Sequence, residues 1–418
     1  TEDDLPKEGE PTGLEDLKPR ILFKYPEKKL PFEEVERFCF PNGMEVKSIL
    51  KTKSMSALNS ILYGTLARVE DAEMSFTFLL NTGEDIFYGV CVHHNEFLTS
   101  VPQFVSKERS ATNKSVEETH FPKGRRKAFA ANRCYCFLSR FPFFESHFNV
   151  IYGILAAERY TKVVCGDILS TPLVGPNRTT SERILDSYYT VKIPPAGESV
   201  QFNLPGELPC TCYLPPEKEE GLLCDWCIPI LLKCMKLDDI LILLSALLLE
   251  VQVIFTGSSA GVISGGVMAA IPLLKPLVWQ GPLLPLLPRE LQEFLYAPVP
   301  LITGIRSIPE DLRRDSNIDD YLIINLDTGS VRMPRVKPPL LPMQAKLRQQ
   351  LLYYYNAINK EGGPLFPLKN RTKTTDKDKQ SARRFIDILR LYKAGILHHI
   401  AGYKSGRDAD KGKVAGGG

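Results

Sequence analysis

The sequence has little net charge, only 2 tryptophans and no long apolar run that is free of prolines and charges. Its 52 lysine and arginine residues against 49 acidic residues give a net charge of +3, which does not require nucleic acid or an anionic membrane as a partner. The most apolar run, residues 240–249, lies between acidic residues and is too short to cross a bilayer. Prolines interrupt the next run, residues 271–287, as in turns and loops. The sequence therefore predicts no transmembrane segment and no nucleic-acid partner.

The sequence also lacks a signal peptide and the cysteine pattern of a disulfide-bonded protein. There is no initial methionine, and residues 1–10 are acidic and polar, unlike a signal peptide. We therefore expect a fragment of a longer protein, with residues 1–18 loosely attached. Several of the 10 cysteines lie within apolar runs: Cys39, Cys91, Cys136 and Cys165. This pattern predicts buried, reduced thiols in a cytosolic protein rather than disulfides.

The first half of the chain reads as strands followed by a helix. Residues 75–80 and 86–92 alternate apolar and polar side chains on either side of Asn-Thr-Gly, which predicts a hairpin. Residues 133–138 form a third predicted strand, and the apolar spacing over residues 141–160 predicts a helix. A further strand, ending in a turn, is predicted over residues 38–43. Residues 105–127 are polar and predict a long exposed loop.

The second half alternates helices and strands, as α/β domains do. Residues 171–220 are predicted to be an extended connector because they are polar and rich in proline and glycine. Acidic residues before residues 240–249 favour a helix start, and the β-branched and aromatic residues 251–255 favour a strand. Further elements follow: a strand over residues 321–327 and amphipathic helices over 344–358 and 383–403.

One short motif, Gly257-Ser-Ser-Ala-Gly261, matches the nucleophile elbow of serine hydrolases and lies between a predicted strand and a predicted helix. Ser259 would need an imidazole base. The later histidines, His398 and His399, lie within a predicted helix, so the hydrolase stays a less favoured alternative. The motif also lacks the Lys-Ser/Thr of a phosphate-binding loop. We therefore do not predict nucleotide binding by this chain.

Four cysteines have spacings that resemble a zinc site, namely Cys210-x-Cys212 and Cys224-x-x-Cys227. The first spacing is tight, and the second pair flanks a tryptophan in an apolar segment, whereas structural zinc sites usually show cleaner paired spacings. Packed and loop thiols are the favoured interpretation. The sequence predicts no metal and no cofactor.

The order of several short motifs is more specific than any one of them. In chain order these are Leu138-Ser-Arg-Phe-Pro-Phe-Phe144, Leu223-Cys-Asp-Trp226, Leu247-Leu-Leu-Glu250, Val278-Trp-Gln280 and Tyr296-Ala-Pro298. This series resembles the DENN domain family, over residues 19–403. The resemblance departs at Gly281, where a histidine is frequent in the family.

The resemblance implies an α/β fold with an N-terminal longin-like module, a C-terminal central DENN α/β module and trailing helices. The implied divisions are residues 19–170 for the longin-like upstream module, 171–220 for a linker, 221–306 for the central module, 307–403 for the downstream segment and 404–418 for a disordered tail.

Members of the DENN family mostly act as guanine-nucleotide exchange factors for Rab GTPases. The resemblance therefore implies a protein without covalent chemistry, cytoplasmic and recruited to vesicle membranes through its GTPase in membrane trafficking. In the family the GTPase lies between the two lobes. The residues implied at this interface are Arg140, Phe143 and Phe144 on the first lobe and Asp225, Trp226, Trp279 and Gln280 on the second. We expect Arg140 and Asp225 to be exposed charges. A non-catalytic GTPase-binding scaffold and a GTPase-activating subunit remain alternatives.

Overall fold

The computed structural model describes residues 18–27, 34–44, 46–50, 75–81, 83, 85–97, 127–164, 180–204, 208–359 and 371–414. Within these ranges the strands form one sheet of four strands, one of five and a separate two-stranded hairpin. The predicted mixture of helices and sheets is thus confirmed. The two larger sheets are separate, one built from each half of the chain. The predicted loop over 105–127 lies almost wholly outside the described residues.

The first sheet is antiparallel, with strand order β1-β4-β3-β2. Its strands are β1 Val46–Leu50, β2 Ser75–Asn81, β3 Ile86–Phe97 and β4 Lys127–Ser139. The predicted hairpin is confirmed, since β2 pairs with β3 from Ser75 opposite Val92 to Asn81 opposite Ile86. Its turn contains Gly83 at a φ of +88°, a conformation that glycine adopts without strain. The third predicted strand lies within β4.

Helices cover this sheet. The helix α2 Phe144–Val164 corresponds to the predicted helix, and it buries Phe144, Phe148 and Ile151 in the main core. The segment over 38–43 differs from the prediction, because its first residues belong to a short helix, α1 Val35–Cys39. Val35 and Cys39, one helical turn apart, are both buried. Burial of this face outweighs the weak strand preference of the local sequence.

The connector over 171–220 is more structured than the sequence indicates. Its described part contains the helix α3 Thr180–Tyr189 and a hairpin of β5 Ser199–Leu204 and β6 Leu208–Tyr213. Apolar residues of these elements form a small core with Val150 and Ile154 of α2. This burial, invisible in a polar composition, corrects the expectation of an extended linker.

The second sheet is mostly parallel, with order β11-β10-β7-β9-β8. Its strands are β7 Val253–Thr256, β8 Leu283–Leu284, β9 Ile302–Ile305, β10 Leu322–Asn325 and β11 Ser330–Arg332. Every residue of the central strand β7 is buried, as expected where helices cover both faces of a parallel sheet. The predicted strand over 321–327 pairs directly with β7. That part of the downstream segment therefore completes the central sheet.

Seven helices in the described part of the second half surround this sheet: α4 Glu219–Cys234, α5 Leu237–Leu248, α6 Ala260–Met268, α7 Ala270–Leu274, α8 Glu310–Arg314, α9 Gln344–Ile358 and α10 Asp376–Val414. Two segments form 3₁₀ helices, Arg289–Tyr296 and Ser316–Asp320. The two predicted C-terminal helices are confirmed as α9 and part of α10. The backbone is helical to Val414, where a disordered tail is expected from residue 404; residues 415–418 lie outside the described residues. Lysine, arginine and alanine in that stretch all favour helices.

Among the helices that the structure describes, none combines the length and the apolar character that a membrane span requires.

Candidate functional site

The two sheets meet where β2, at the edge of the first sheet, packs against α6. The backbone N–H of Thr77 donates to Oγ of Ser264 at 3.2 Å, and the Thr77 hydroxyl donates to the same oxygen at 3.3 Å. Both residues are buried. An exposed strand edge invites pairing with other chains, and here a helix of the other lobe covers part of it. The lobes therefore share one continuous apolar core.

A cleft of about 410 Å³ lies beside this contact. Its walls come from β2, α2, α4 and α6, and from the segment that leads into α10. Trp226 of α4 lines the cleft. Its ring stacks on Phe148 at 5.4 Å between ring centroids and lies edge-on to Phe144 at 5.7 Å. The cleft thus joins both lobes around a half-buried tryptophan.

Asp225, the neighbour of Trp226, is not the exposed charge that the sequence predicts. Only 8% of it is exposed. Its carboxylate accepts two hydrogen bonds from the Arg383 guanidinium of α10, at 2.6 Å from Nε and 2.5 Å from Nη2. Burial raises the pKa of Asp225, and the hydrogen bonds from Arg383 oppose that rise. This pair joins α4 to α10 and holds the cleft wall in place.

Phe143 and Phe144 are also buried, at the start of α2. Phe143 packs with Cys212 and Leu214 of the hairpin segment, whereas Phe144 contacts Tyr88 and Trp226. Neither ring presents a surface to a partner.

Arg140 is the predicted residue of the first lobe that is exposed. Its side chain is 65% exposed, and Nη2 forms an ion pair of 2.7 Å with Asp85. The guanidinium also lies over the Phe87 ring at 5.6 Å. An ion pair this exposed contributes little to stability. The group therefore stays accessible to an acidic partner.

The loop before β8 carries the other exposed candidates. Trp279 is half-buried, and its indole N–H donates to the Pro282 carbonyl at 3.2 Å. Its neighbours Val278 and Gln280 are exposed, Val278 by 63%. A Cβ on Gly281 would lie 2.2 Å from the Pro300 carbonyl. The close backbone approach at Gly281 fixes this loop, so that Val278 and Gln280 point away from the core.

Sequence profiles of two domain families match the chain. The DENN (AEX-3) domain matches residues 130–329, and the uDENN domain matches residues 19–94. Together these ranges cover more than half of the 418 residues.

The chain belongs to the DENN family.

Curated relatives agree with this assignment. DENN domain-containing protein 1C of Mus musculus is 27% identical over 214 residues, which are 49% of this chain and 26% of that protein. DENN domain-containing protein 1A of Homo sapiens is 25% identical over 211 residues, 50% of this chain and 19% of that protein. Elicitor of plant defense protein 1 of Gibberella zeae is 33% identical over 134 residues, 31% of this chain and 11% of that protein. The match thus spans about a quarter or less of each relative.

The hydrolase motif has a structural role in this DENN chain. Ser259 is 0% exposed, and its Oγ accepts a hydrogen bond of 3.4 Å from the backbone N–H of Val262 in the first turn of α6. The serine is therefore an N-cap, the position where serine stabilises a helix start. His398 and His399 are exposed on α10. A buried capping hydroxyl cannot reach a substrate, which removes the support for the hydrolase alternative.

The four cysteines with zinc-like spacing do not come together. Cys210 and Cys212 lie on the hairpin strand β6 and pack in the small cores beside α2, whereas Cys224 and Cys227 lie in α4 within the main core. Burial raises the pKa of each of these thiols. All four are packed thiols, whereas the favoured interpretation expects two of them in a loop; Cys210 and Cys212 lie on a strand instead.

One wall of the cleft, the segment that leads into α10, is not among the residues predicted from the sequence. Thr372, Lys373 and Thr374 line it, although the sequence around them shows only charged and polar residues between the two predicted C-terminal helices. The Lys373 carbonyl accepts a hydrogen bond from the ammonium of the buried Lys233. A buried lysine within an apolar helix is the one sequence signal that predicts such a polar partner.

Proposed function

We propose that this chain is a guanine-nucleotide exchange factor for a Rab-type small GTPase. The observation that carries the proposal is its membership of the DENN family through both the uDENN and the DENN domain. We also propose that the first lobe is longin-like. The GTPase would bring the chain to the vesicle membrane.

Exchange requires no covalent step. The factor needs only to bind the nucleotide-free GTPase more tightly than the nucleotide-bound form. Switch segments of a GTPase are held by the nucleotide and Mg²⁺, so a surface that holds those segments elsewhere promotes nucleotide release. An apolar surface with a few accessible charges suits this task. The buried, capping Ser259 is consistent with a role that needs no nucleophile.

The loop around Val278 offers such a surface on the second lobe. Leu277, Val278 and Val299 are all exposed apolar side chains, and the contact of Gly281 with the Pro300 carbonyl brings their two segments together. Clustered exposed apolar residues commonly mark interaction sites. We propose that Val278, Trp279 and Gln280 contact the GTPase, with Arg140 contributing from the first lobe.

The buried candidates act differently in this proposal. Phe144 and Asp225 position Trp226 from within the core, because Phe144 contacts its ring and Asp225 anchors its helix to α10. Trp226 lines the cleft that joins the two lobes. A partner that spans the lobes would therefore meet the edge of this tryptophan rather than the phenylalanine rings.

The test is the release of labelled GDP from a panel of purified Rab GTPases, with and without the chain. We expect faster release from at least one Rab. Val278→Asp should slow that release by about tenfold or more, because a charge in a desolvated contact costs about 1.4 kcal/mol or more. Val336→Asp is the matched control. Val336 is 81% exposed and follows β11, at the opposite edge of the sheet from β8.

Equal rates for wild type and Val278→Asp on a responsive Rab would refute the proposed loop. If no Rab responds but one binds the chain stably in its GTP form, the chain is a scaffold. Faster hydrolysis of GTP that depends on Arg140 would instead assign it to the activating class.

A further inference from the structure

Four of the nine free cysteines that the structure describes converge on one face of the first sheet. Cys39 ends α1, Cys91 lies in β3, and Cys134 and Cys136 lie in β4. The Sγ atoms of Cys39, Cys91 and Cys134 all lie within 4.8 Å of one another, and those of Cys39 and Cys91 are 3.8 Å apart. In the described ranges, no other three His, Cys, Asp or Glu side chains bring their ligand atoms this close.

Strand register produces this cluster. Cys91 lies opposite Cys136, and His93 lies opposite Cys134. Side chains two apart on a strand, and those directly opposite across a ladder, point to the same face. The three strand cysteines therefore share the face on which α1 packs. Cys136, two residues from Cys134 and opposite Cys91, lies on the same face beside these three sulfurs, although its sulfur is not within 4.8 Å of all of them.

We propose that the thiolates of Cys39, Cys91 and Cys134 bind one zinc ion, and that the neighbouring Cys136 moves in as the fourth ligand when the ion binds. Zinc takes cysteine sulfurs at about 2.3 Å in a tetrahedron, which sets neighbouring sulfurs about 3.8 Å apart. The Cys39–Cys91 separation of 3.8 Å matches this spacing. Soft thiolate ligands select zinc over hard cations such as Mg²⁺ and Ca²⁺. Four sulfurs leave no open coordination position, so the site is structural rather than catalytic.

The surroundings suit a closed metal site. Cys91 is fully buried and Cys39 almost so. Nε2 of His93 lies 2.7 Å from the Cys39 carbonyl oxygen, and the Phe40 ring stacks on His93 at 5.0 Å. This contact fixes the backbone of Cys39 relative to β3, as outer-shell hydrogen bonds do around metal ligands. The ion would join the short helix α1 to two strands of the sheet.

Helix α1 otherwise has a small contact with the sheet. It has only five residues, of which Val35 and Cys39 are buried. A helix this short is not stable by itself. A metal bond to its last residue stabilises the packed position, since binding free energy at such sites adds to the stability of the folded chain. We therefore place the role of the ion in fixing the segment that precedes the first sheet.

The first test is metal content. The full chain, purified under reducing conditions without added chelator, is expected to contain one equivalent of zinc by inductively coupled plasma mass spectrometry. Replacement by Co²⁺ should give intense visible bands of tetrahedral cobalt and an ultraviolet thiolate-to-cobalt charge-transfer band. Removal of the ion by a chelator should lower the thermal unfolding midpoint, and one equivalent of Zn²⁺ should restore it.

The second test uses substitutions. Cys39→Ser, Cys91→Ser, Cys134→Ser and Cys136→Ser should each lose stoichiometric zinc and the cobalt charge-transfer band. Cys212→Ser is the matched control, because Cys212 is also a buried strand cysteine but lies outside the cluster. It should keep one equivalent of metal. Far-ultraviolet circular dichroism identifies any variant that fails to fold.

Three results would overturn the proposal, and the first two need only the wild-type chain. The first is reduced wild-type chain that takes up no stoichiometric zinc at micromolar concentration. The second is a Cys39–Cys91 disulfide in protein purified without reductant and kept after incubation with zinc, which would make the pair a redox element. The third is retention of metal by folded Cys39→Ser and Cys91→Ser chains. If only the Cys136→Ser chain retains its metal, Cys136 is not a ligand.

Discussion

At the scale of single residues, the main result is that the two charged interface candidates, Asp225 and Arg140, differ in burial and therefore in role. Asp225 and Arg383 form a bidentate pair, of which the carboxylate side is almost fully buried. Arg140 and Asp85 form a single-contact pair in solvent. Removing one partner of a buried pair leaves an uncompensated charge, whereas exposed pairs contribute little.

We predict that Arg383→Ala lowers the free energy of unfolding by about 2 kcal/mol, because it strands the buried Asp225 carboxylate. Arg140→Ala should lower it by less than about 1 kcal/mol. Urea unfolding followed by circular dichroism measures both. Equal costs for the two variants would contradict the difference in burial.

A second prediction concerns His147, which is buried on α2 and contacts the Tyr188 hydroxyl through Nδ1 at 2.8 Å. Burial lowers the pKa of His147 to about 4 from its ordinary 6.5. The unfolded chain therefore binds a proton at a pH where the folded chain does not. Stability is complete above pH 6.5 and falls as the pH drops toward 4, by up to about 3 kcal/mol.

His147→Gln removes this titration and should flatten that part of the stability profile. The measurement is urea unfolding of both chains at pH values above and below 6.5. A wild-type profile no steeper than that of His147→Gln would show that the imidazole is not buried in its neutral form.

The pairing of Asp225 with Arg383 has no local signal in the sequence, because 158 residues separate the partners. For that reason the sequence predicts Asp225 as exposed.

At the scale of secondary structure, the tight packing of α6 against the parallel sheet explains several glycines. A Cβ on Gly304 of β9 would lie 2.4 Å from the Pro285 carbonyl oxygen and 2.3 Å from a side-chain carbon of Ile263 on α6. Backbone atoms cannot move aside as a flexible side chain can. The strand, the β8 segment and α6 therefore fit together only with glycine at this position.

We predict that Gly304→Ala destabilises the fold by about 1–3 kcal/mol through overpacking. Gly395→Ala on α10 is the matched control, because a Cβ there meets no atom within 4 Å. Alanine at that helical position should be neutral or stabilising by up to about 1 kcal/mol. Differential scanning calorimetry compares the two. A Gly304→Ala chain as stable as wild type would mean that α6 can shift away from the sheet.

Elements with strong local patterns are the ones that the sequence predicts correctly. The hairpin of β2 and β3 has both strand alternation and a glycine turn, and α9 has a sustained apolar period. The short helix α1 has neither, because one turn is too short to show a period. The hairpin of β5 and β6 is hidden for a different reason, since its polar composition conceals the few residues that it buries against α2.

At the scale of the whole molecule, the two lobes share a core. The main apolar cluster includes Phe76 and Val90 of the first sheet together with Val253 and Ile302 of the second. The hydrogen bonds from Thr77 to Ser264 join the two lobes where they contact each other. Lobes that share a core of this kind are expected to unfold together. The sequence resemblance gives the order of the two lobes along the chain. It does not show their contact, which depends on residues far apart in sequence.

We therefore predict one cooperative unfolding transition for the described core. Calorimetry should give one peak, and amides of β3 and β7 should exchange hydrogen with similar protection against global opening. Ser264→Ala removes the acceptor of the Thr77 N–H. It should lower the free energy of unfolding by about 1–3 kcal/mol and shift the single transition as a whole to lower temperature. Two resolved peaks, or a variant that destabilises only one lobe, would contradict a shared core.

The cleft beside Trp226 is lined by residues as far apart in sequence as Ser75 and Thr374. During synthesis, the ribosome releases the first sheet and α2 long before the segment that closes the opposite wall. The cleft therefore cannot exist on a nascent chain until residue 374 has left the exit tunnel and α10 can reach Asp225. A partner of the proposed kind that binds this cleft would therefore find it only after residues 372–383 have been released, and not on a shorter nascent chain.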